Sequence, residues 1–341
     1  MNYRRLGSSG MRVSRLCLGA MMFGDQTAED EAQRIVARAR EAGVNFIDTA
    51  DSYTRGRSEE LVGRAIKADR HDWILATKIG ATIDPSRPNR GGLGRRWLMQ
   101  GVEESLKRLA TDHIDLYYLH MDDRAVASEE IVETLGDLIR QGKIRHWGVS
   151  NFASWRIAEL VRLCGLVGTP KPVAGQPPYN AMTRMAEVEY IPACVNYGIG
   201  VVPYSPLARG VLTGKYRPGV APGADTRAGR NDPRLLQTEF RPESLAIAER
   251  IRAHVEARGG SMIGFALNWV LANPAVPAVI AGPKTDAQWA DYIAALDEPF
   301  GAEDDAFLDT LVPPGHASTP GYTDPLYPVT GRGTGPGRAA A

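Results

Sequence analysis

The sequence lacks the features of a secreted, disulfide-bonded or membrane-spanning protein. Its three cysteines, Cys17, Cys164 and Cys194, are odd in number and form no CxxC pair, so neither a disulfide framework nor a zinc ribbon is expected. No apolar signal-peptide core follows Met1, and no run approaches the roughly 18 apolar residues that a membrane-spanning helix needs. We therefore expect free thiols, a cytoplasmic location and no membrane partner.

An excess of either charge is also missing. Forty lysines and arginines balance forty aspartates and glutamates, which gives a formal net charge of +0. No basic surplus exists to neutralise a phosphate backbone, so we expect no nucleic-acid partner. A hydrophobic content of 43% with 23% charged residues is typical of a globular protein.

The common fingerprints of nucleotide and metal sites are absent too. No GxGxxG follows a β-branched run, and neither GxxxxGK[ST] nor HExxH occurs, which disfavours a Rossmann domain, a P-loop NTPase and a zinc protease. The glycine-rich run at 331–335 has no strand before it, and we interpret it as low complexity. His113, His120, Asp122 and Asp123 fit no standard ligand spacing, so we expect no metal.

Short β-branched runs alternate with segments of helical periodicity through most of the chain. Residues 27–41 and 98–109 have apolar residues at three- and four-residue spacing, and Thr27 with Asp30 resembles a capping box. Residues 3–14 look like an N-terminal β-hairpin. Eight strands joined by helices can close into a (β/α)8 TIM barrel or open into a doubly wound sheet. The predicted strands are residues 16–20, 44–48, 73–78, 114–120, 144–150, 173–176, 199–204 and 275–281.

Two glycine- and proline-rich stretches interrupt this alternation. Residues 205–240 hold nine glycines or prolines with scattered arginines, which indicates a long loop after strand 7 of the barrel. Residues 313–341 hold twelve, which indicates an extended C-terminal tail. We therefore expect one barrel over residues 1–312 and a tail over 313–341, rather than two domains.

Polar residues follow three consecutive predicted strands. Asp48, Lys78 and His120 end apolar runs, and Tyr53 follows Asp48 by five residues. Taken singly, each has an ordinary structural explanation as a turn, surface or rim residue. Together they form an acid catalyst for carbonyl reduction, because an ammonium held by a carboxylate lowers the pKa of a neighbouring phenol and a histidine can orient the carbonyl.

These residues lie in motifs that resemble the aldo-keto reductases. The resemblance runs in order over about residues 3–300 and is greatest to the branch with bacterial aldo-keto reductases and potassium-channel β-subunits. The motifs are FIDTADSY at 46–53, ATK at 76–78, YYLH at 117–120, GVSNF at 148–152, QPPYN at 176–180, VPYSPL at 202–207, GVLTGKY at 210–216 and IAGPKT at 280–285.

The resemblance implies a TIM barrel that binds a nicotinamide dinucleotide without a Rossmann domain. Tyr53 would be the general acid, Lys78 and Asp48 would tune it, and His120 would orient a small-molecule carbonyl substrate. Met22, Phe23 and Met121 would edge the substrate pocket beside Tyr53 and His120.

The cofactor residues implied by the family lie at successive strand ends. Ser150, Asn151 and Gln176 would bind the carboxamide, Tyr204 would stack on the nicotinamide, and Lys284 would bind a 2′-phosphate, which favours NADP(H) over NAD(H). Asp291-Tyr292 replaces the usual Glu-Asn, and Ala20 replaces a common Thr. The remaining expected contacts are Gly19, Ala20, Asp48, Ser205, Pro206, Leu207, Gly210, Lys215, Gly282, Thr285, Gln288, Asp291 and Tyr292.

The expected activity is reversible, NADPH-dependent reduction of an aldehyde or ketone. The alternative from the same resemblance is a nicotinamide-binding redox sensor or regulatory protein with slow residual reductase activity. Either could be a homo-oligomer, and the sequence does not identify the carbonyl substrate.

Overall fold

Eight parallel strands organise the part of the chain that the computed structural model describes, residues 1–84 and 86–329. They run in the order β10-β3-β4-β5-β6-β7-β8-β9, and a separate antiparallel hairpin pairs β1 with β2. The strands are β1 (Tyr3–Arg5), β2 (Arg12–Ser14), β3 (Leu16–Gly19), β4 (Phe46–Asp48), β5 (Ile74–Ile79), β6 (Ile114–Leu119), β7 (Ile144–Ser150), β8 (Ala174–Gln176), β9 (Gly200–Val201) and β10 (Val279–Ala281).

The sheet curls so that its two outer strands meet. The N–H of Ile280 in β10 donates to the carbonyl of Pro203, just beyond β9, at 2.9 Å. Helices follow the strands on the outside, as right-handed crossovers between parallel strands require. The fold is therefore a (β/α)8 barrel preceded by a hairpin. Its helices are α1 (Glu29–Glu41), α2 (Arg57–Ile66), α3 (Arg95–Leu109), α4 (Ser128–Arg140), α5 (Ser154–Val167), α6 (Tyr190–Tyr197), α7 (Pro233–Gln237), α8 (Pro242–Glu256), α9 (Met262–Ala272), α10 (Asp286–Ala295) and α11 (Ala302–Asp309).

The barrel strands are buried on both faces, which explains their nearly continuous apolar sequences. Alternate residues fill two cores. Phe46, Ala76, Tyr118 and Ala174 belong to the inner core, whereas Ile47, Leu75 and Tyr117 belong to the outer core between sheet and helices. Because side chains two residues apart point to the same side of a strand, the residues two positions beyond these four lie at the inner mouth of the barrel.

Two local expectations need correction. Thr27 does not cap α1: the N-cap is Ala28, with no side-chain cap, and the Thr27 hydroxyl instead donates to the Lys284 carbonyl at 2.9 Å. The seventh predicted strand, 199–204, is observed only at Gly200–Val201. Pro203 has no N–H to continue the ladder there.

The long loop after β9 is more ordered than its sequence predicts. It contains a 3₁₀ turn at Ala208–Thr213 and the short helix α7. Two hydrogen bonds, at 2.7 and 3.0 Å, join Arg234 of α7 to Asp324 in the first part of the tail. That part also pairs with the loop after β8, where the N–H of Arg184 donates to His316 O at 2.9 Å. The tail thus packs on the barrel as far as the described residues extend; the run at 331–335 lies outside them.

Within the described residues, no helix combines the length and the apolar character needed to cross a membrane.

Candidate active site

Lys78 is the centre of the site at the carboxyl end of the barrel. It is the next-to-last residue of β5, its side chain has no exposed surface, and its Nζ contacts the Asp48 carboxylate, Thr49 O at 2.8 Å and Tyr53 Oη at 3.1 Å. An ammonium has three protons and no acceptor, so these three partners satisfy it. Because Tyr53 accepts from Lys78, the phenol proton remains free to be donated elsewhere.

The charges of this group are set by burial and by the ion pair. Burial acts to lower the pKa of Lys78, but Asp48 and Tyr53 outweigh it and hold that pKa above its ordinary value. Burial raises the pKa of Asp48 against the opposing effects of Lys78 and of Gln176, whose amide donates to Asp48 Oδ2 at 3.0 Å. The ammonium is therefore kept charged beside the phenol.

The net shift of Tyr53 is opposite to the sequence expectation. Burial is the largest effect and raises the pKa of Tyr53; the charge of Lys78 lowers it, and the charges of Asp48 and, when it is ionised, of Asp51 raise it further. The pKa of Tyr53 therefore lies above its ordinary value, and the phenol keeps its proton at neutral pH. A general acid must be protonated before it reacts, so the arrangement suits proton donation.

His120 lies beside the phenol as a neutral ring. It follows β6, and its ring meets that of Tyr53 edge-on with centroids 5.8 Å apart. Burial, and then the charge of Lys78, lower its pKa to about 3. Its Nδ1 is buried without a hydrogen-bond partner among the residues described. A neutral imidazole next to a proton donor can orient a carbonyl oxygen without competing for the proton.

A polar network connects the next three strand ends. The Ser150 hydroxyl donates to Gln176 O at 2.9 Å, and Asn151 Nδ2 donates to His120 O at 2.9 Å and to Ser150 Oγ at 3.0 Å. Tyr204 Oη donates to Asn151 Oδ1 at 2.9 Å. Asn151 takes a left-handed conformation, with φ 60°, that brings its amide back over the rim. The four residues expected near the nicotinamide therefore lie together.

The backbone after Tyr204 forms a concave turn. Ser205, Ala208, Arg209 and Gly210 all have positive φ, between 47° and 100°. The N–H groups of Ala208 and Gly210 donate to Ser205 O and Leu207 O at 2.9 and 2.8 Å, so an anion would bind at the other N–H groups of the turn. Gly210 has φ 100°, a conformation that L side chains rarely adopt, so glycine allows the chain to turn here. Pro206 and Leu207 lie within the same turn, which suits close approach of a pyrophosphate.

The loop after β10 brings a further group together. Gln288 Oε1 accepts from the N–H of Lys284 at 2.9 Å, and Thr285 caps α10 through its hydroxyl. Gly282 and Asp291 are exposed, whereas Tyr292 is half-buried. The side-chain oxygen of Gln288 therefore already accepts a hydrogen bond from within this loop.

Residues 19–23 lie at the end of β3 and directly after it. Gly19 pairs with Asp48 in the sheet, and the N–H of Ala20 donates to Asp48 O at 2.8 Å. The side chains of Ala20 and Phe23 are fully buried in the outer core, and Met22 is almost so. The side chains of Ala20 and Phe23 thus pack between sheet and helices, and the expected contacts of Phe23 with substrate and of Ala20 with cofactor stay predictions. Met121 remains half-buried at the rim.

Comparison with known proteins gives the family. A sequence model of the aldo/keto reductase family matches residues 15–312. This chain belongs to the aldo/keto reductase family.

Three relatives cover nearly the whole aldo/keto reductase chain. A probable voltage-gated potassium channel subunit beta of Arabidopsis thaliana is 35% identical over 302 residues, 87% of this chain and 92% of the relative. The uncharacterized oxidoreductase YrpG of Bacillus subtilis is 37% identical over 338 residues, 94% and 98% of the two chains. Versiconal hemiacetal acetate reductase of Aspergillus parasiticus is 31% identical over 334 residues, 91% and 96%. This aldo/keto reductase is thus similar both to named reductases and to channel subunits.

Sequence reasoning missed two cations of this aldo/keto reductase. Burial, and then the charges of Arg230, Arg227 and Lys215, lower the pKa of Lys284, and Arg227 and Arg230 act in the same way on Lys215. These four residues, which we call the basic cluster, converge from two loops. The sequence shows scattered arginines in residues 205–240, but only the conformation of the loop brings Arg227 and Arg230 near Lys284.

The tail also has a residue, Tyr327, near the rim of the barrel. Burial and the charges of Asp324 and Tyr53, among others, raise the pKa of Tyr327 to about 12, and Tyr327 in turn acts on Tyr204. The tail of the aldo/keto reductase therefore reaches the same rim as the phenol. No motif marked Tyr327, because its position depends on the Arg234–Asp324 pair.

Proposed function

We propose that this chain reduces an aldehyde or ketone to the alcohol, reversibly, with hydride from NADPH and a proton from Tyr53. The observation that carries the proposal is the buried Lys78, whose ammonium contacts both the Asp48 carboxylate and, at 3.1 Å, the Tyr53 oxygen. That arrangement supplies a proton donor whose conjugate base is stabilised as it forms.

Each residue then has one role in the step. When bound, the nicotinamide supplies the hydride. Tyr53 gives its free proton to the developing alkoxide, and Lys78 stabilises the resulting phenolate. Asp48 keeps Lys78 charged and in place. His120, neutral at physiological pH, orients the carbonyl oxygen toward Tyr53.

The residues present fit an extended phosphate-bearing dinucleotide. The positive-φ turn at 205–210 would hold the pyrophosphate, and the basic cluster would hold a 2′-phosphate. The charges of Arg227 and Arg230 act to lower the pKa values of Lys215 and Lys284, so a bound anion would relieve this repulsion. This supports NADPH over NADH. We further propose that the barrel, residues 1–312, is a single domain, that residues 313–341 form its tail, and that the protein acts in the cytoplasm.

The test of the proton donor is Tyr53→Phe, with Tyr3→Phe as matched control, since Tyr3 lies in the hairpin near the opposite end of the barrel. General acid catalysis contributes about 10²–10⁴ in rate, so kcat should fall by that order in Tyr53→Phe and stay unchanged in the control. NADPH affinity, measured by nicotinamide fluorescence, should stay within about twofold. Near-normal turnover by Tyr53→Phe would remove the assignment.

A second candidate rests on the relatives named as potassium channel β-subunits. Under this proposal the chain binds NADPH and reports its redox state, with slow residual reduction. The discriminating assay follows NADPH absorbance with a panel of aldehydes and ketones. Tight NADPH binding with no turnover on any of them would favour the regulatory function.

A further inference from the structure

A second cluster of buried charged residues lies on the outer side of the sheet, behind the loop that follows β4 and carries Tyr53. Its central residue is Asp51, which is 1% exposed and has both carboxyl oxygens buried with no hydrogen-bond partner in the described chain. The N–H of Asp51 donates to Lys78 O at 3.1 Å. The loop that carries Tyr53 is therefore fixed to the strand that carries Lys78 through an acid that the proposed mechanism does not use.

Charged and polar groups face Asp51 from four elements. Glu59 of α2 has no exposed surface and accepts from Arg108 Nε of α3 and from Thr77 Oγ1, each at 2.6 Å. Lys78 of β5 acts on Asp51 from the catalytic side. Tyr117 of β6 is buried, with a hydroxyl that has no partner among the described residues.

The charge balance of this region decides which acid is neutral. Asp48 has Lys78 as its partner and Glu59 has Arg108, which leaves Asp51 without a cation of its own in the described region. A buried carboxyl without a partner is most stable in its protonated form. Burial and then the charge of Glu59 raise the pKa of Asp51 to about 8, against the opposing effects of Arg108, of the nearby Ser52 N–H and of Lys78.

We infer that Asp51 is a positioning residue whose loss of a proton weakens Tyr53 as the acid of carbonyl reduction. When Asp51 is neutral, it does not weaken the stabilisation that the positive charge of Lys78 gives to the Tyr53 phenolate. When Asp51 is ionised, its negative charge opposes that stabilisation and raises the pKa of Tyr53. Reduction should therefore slow as the pH rises through about 8. The inference rests on the proposed reductase function.

Other groups of the site do not account for such a change. The pKa of His120 is about 3, and the pKa values of Lys78 and of Tyr53 itself lie above their ordinary values, so none of these groups titrates near pH 8. Lys215 and Lys284 have lowered pKa values, but they lie in the basic cluster, so their titration would change NADPH affinity. A measurement of kcat at saturating NADPH separates the two effects.

The experiment compares the wild type with Asp51→Asn, which keeps the shape and removes the charge. From pH 6 to 10, wild-type kcat should fall roughly three- to tenfold with a midpoint near 8, and Asp51→Asn should lack this fall while KM for NADPH stays within about twofold. Glu60→Gln, next to Glu59 but half-exposed, is the control and should keep the wild-type profile. The inference is overturned if kcat of Asp51→Asn falls with pH as the wild type does, or if kcat of an active wild type does not fall.

Glu59→Gln covers the case in which Asp51→Asn does not fold. Removing the Glu59 charge frees Arg108 and lowers the pKa of Asp51, so the fall in kcat should move to lower pH. An unmoved midpoint contradicts the inference.

A readout without turnover separates this inference from the proposed function. If the wild type reduces no carbonyl, the proposed function fails, and the Asp51 carboxyl is then titrated by carbon-13 NMR. A midpoint near 8 supports the buried acid, whereas a midpoint below 5 overturns it.

Discussion

Removing the ammonium from the buried pair should destabilise the protein in a pH-dependent way. In Lys78→Met the side chain keeps its length and apolar stem, but Asp48, only 3% exposed, retains just the Gln176 amide as its side-chain donor. Breaking a buried ion pair from one side costs about 3–5 kcal/mol.

The loss of stability has an upper limit, because Asp48 can take up a proton and so remove its unpaired buried charge. Neutralising at pH 7 a carboxyl whose ordinary pKa is 3.8 costs about 1.36 kcal/mol for each of roughly three units, or about 4 kcal/mol. The pKa of Asp48 in the folded variant would then lie above its unfolded value. Because an acid with a raised pKa in the folded state must take up a proton on folding, the loss of stability is absent below pH 4 and grows as the pH rises.

Urea unfolding followed by circular dichroism at pH 7 and pH 5 measures this penalty. We expect a loss of about 4 kcal/mol at pH 7 and about half of that at pH 5. Asp48→Asn combined with Lys78→Met removes both charges and should recover most of the stability, which gives a coupling of at least about 2 kcal/mol. A loss independent of pH, or strictly additive single variants, would refute the reasoning.

Three further outcomes are expected. Asp51→Asn should raise the free energy of unfolding at pH 7 by up to about 4 kcal/mol and leave it unchanged at pH 4, because burial raises the pKa of this acid to about 8; urea unfolding at both pH values checks this. Gly63→Ala should destabilise by about 1–3 kcal/mol, since the new Cβ would lie 2.3 Å from Leu109 O, whereas Gly165→Ala, with open space in α5, should stabilise by up to about 1 kcal/mol. Arg230→Gln should weaken NADPH binding at least about tenfold and leave NADH binding unchanged, as measured by fluorescence titration.

The strand ends could be predicted because one periodicity fixes them. Apolar runs located all eight barrel strands, and a period of two from Phe46, Ala76 and Tyr118 places the following acid, lysine and histidine on the inner side. Which residues reach the mouth is therefore a property of local sequence. The family resemblance added their roles.

Features that depend on loops and on summed burial could not be predicted. The Thr27 hydroxyl has the spacing of a helix cap, but a carbonyl 257 residues away is its partner. The sequence shows the ammonium that lowers the pKa of Tyr53 but not the burial that raises it more. Likewise, no period brings Arg227 beside Lys284, because the conformation of a loop determines that proximity.

The two buried charge clusters are connected through one strand, and that connection explains why a third acid can matter to the reaction. Thr77 and Lys78 are neighbours on β5, so their side chains point to opposite sides of the sheet: Thr77 to Glu59 and Lys78 to Asp48. Asp51 is bonded through its backbone to that strand, between the two pairs. A negative charge on Asp51 therefore acts on the Tyr53 phenol across buried protein, where the low polarity makes electrostatic effects strong. A neutral Asp51 adds no third negative charge to the two buried ion pairs.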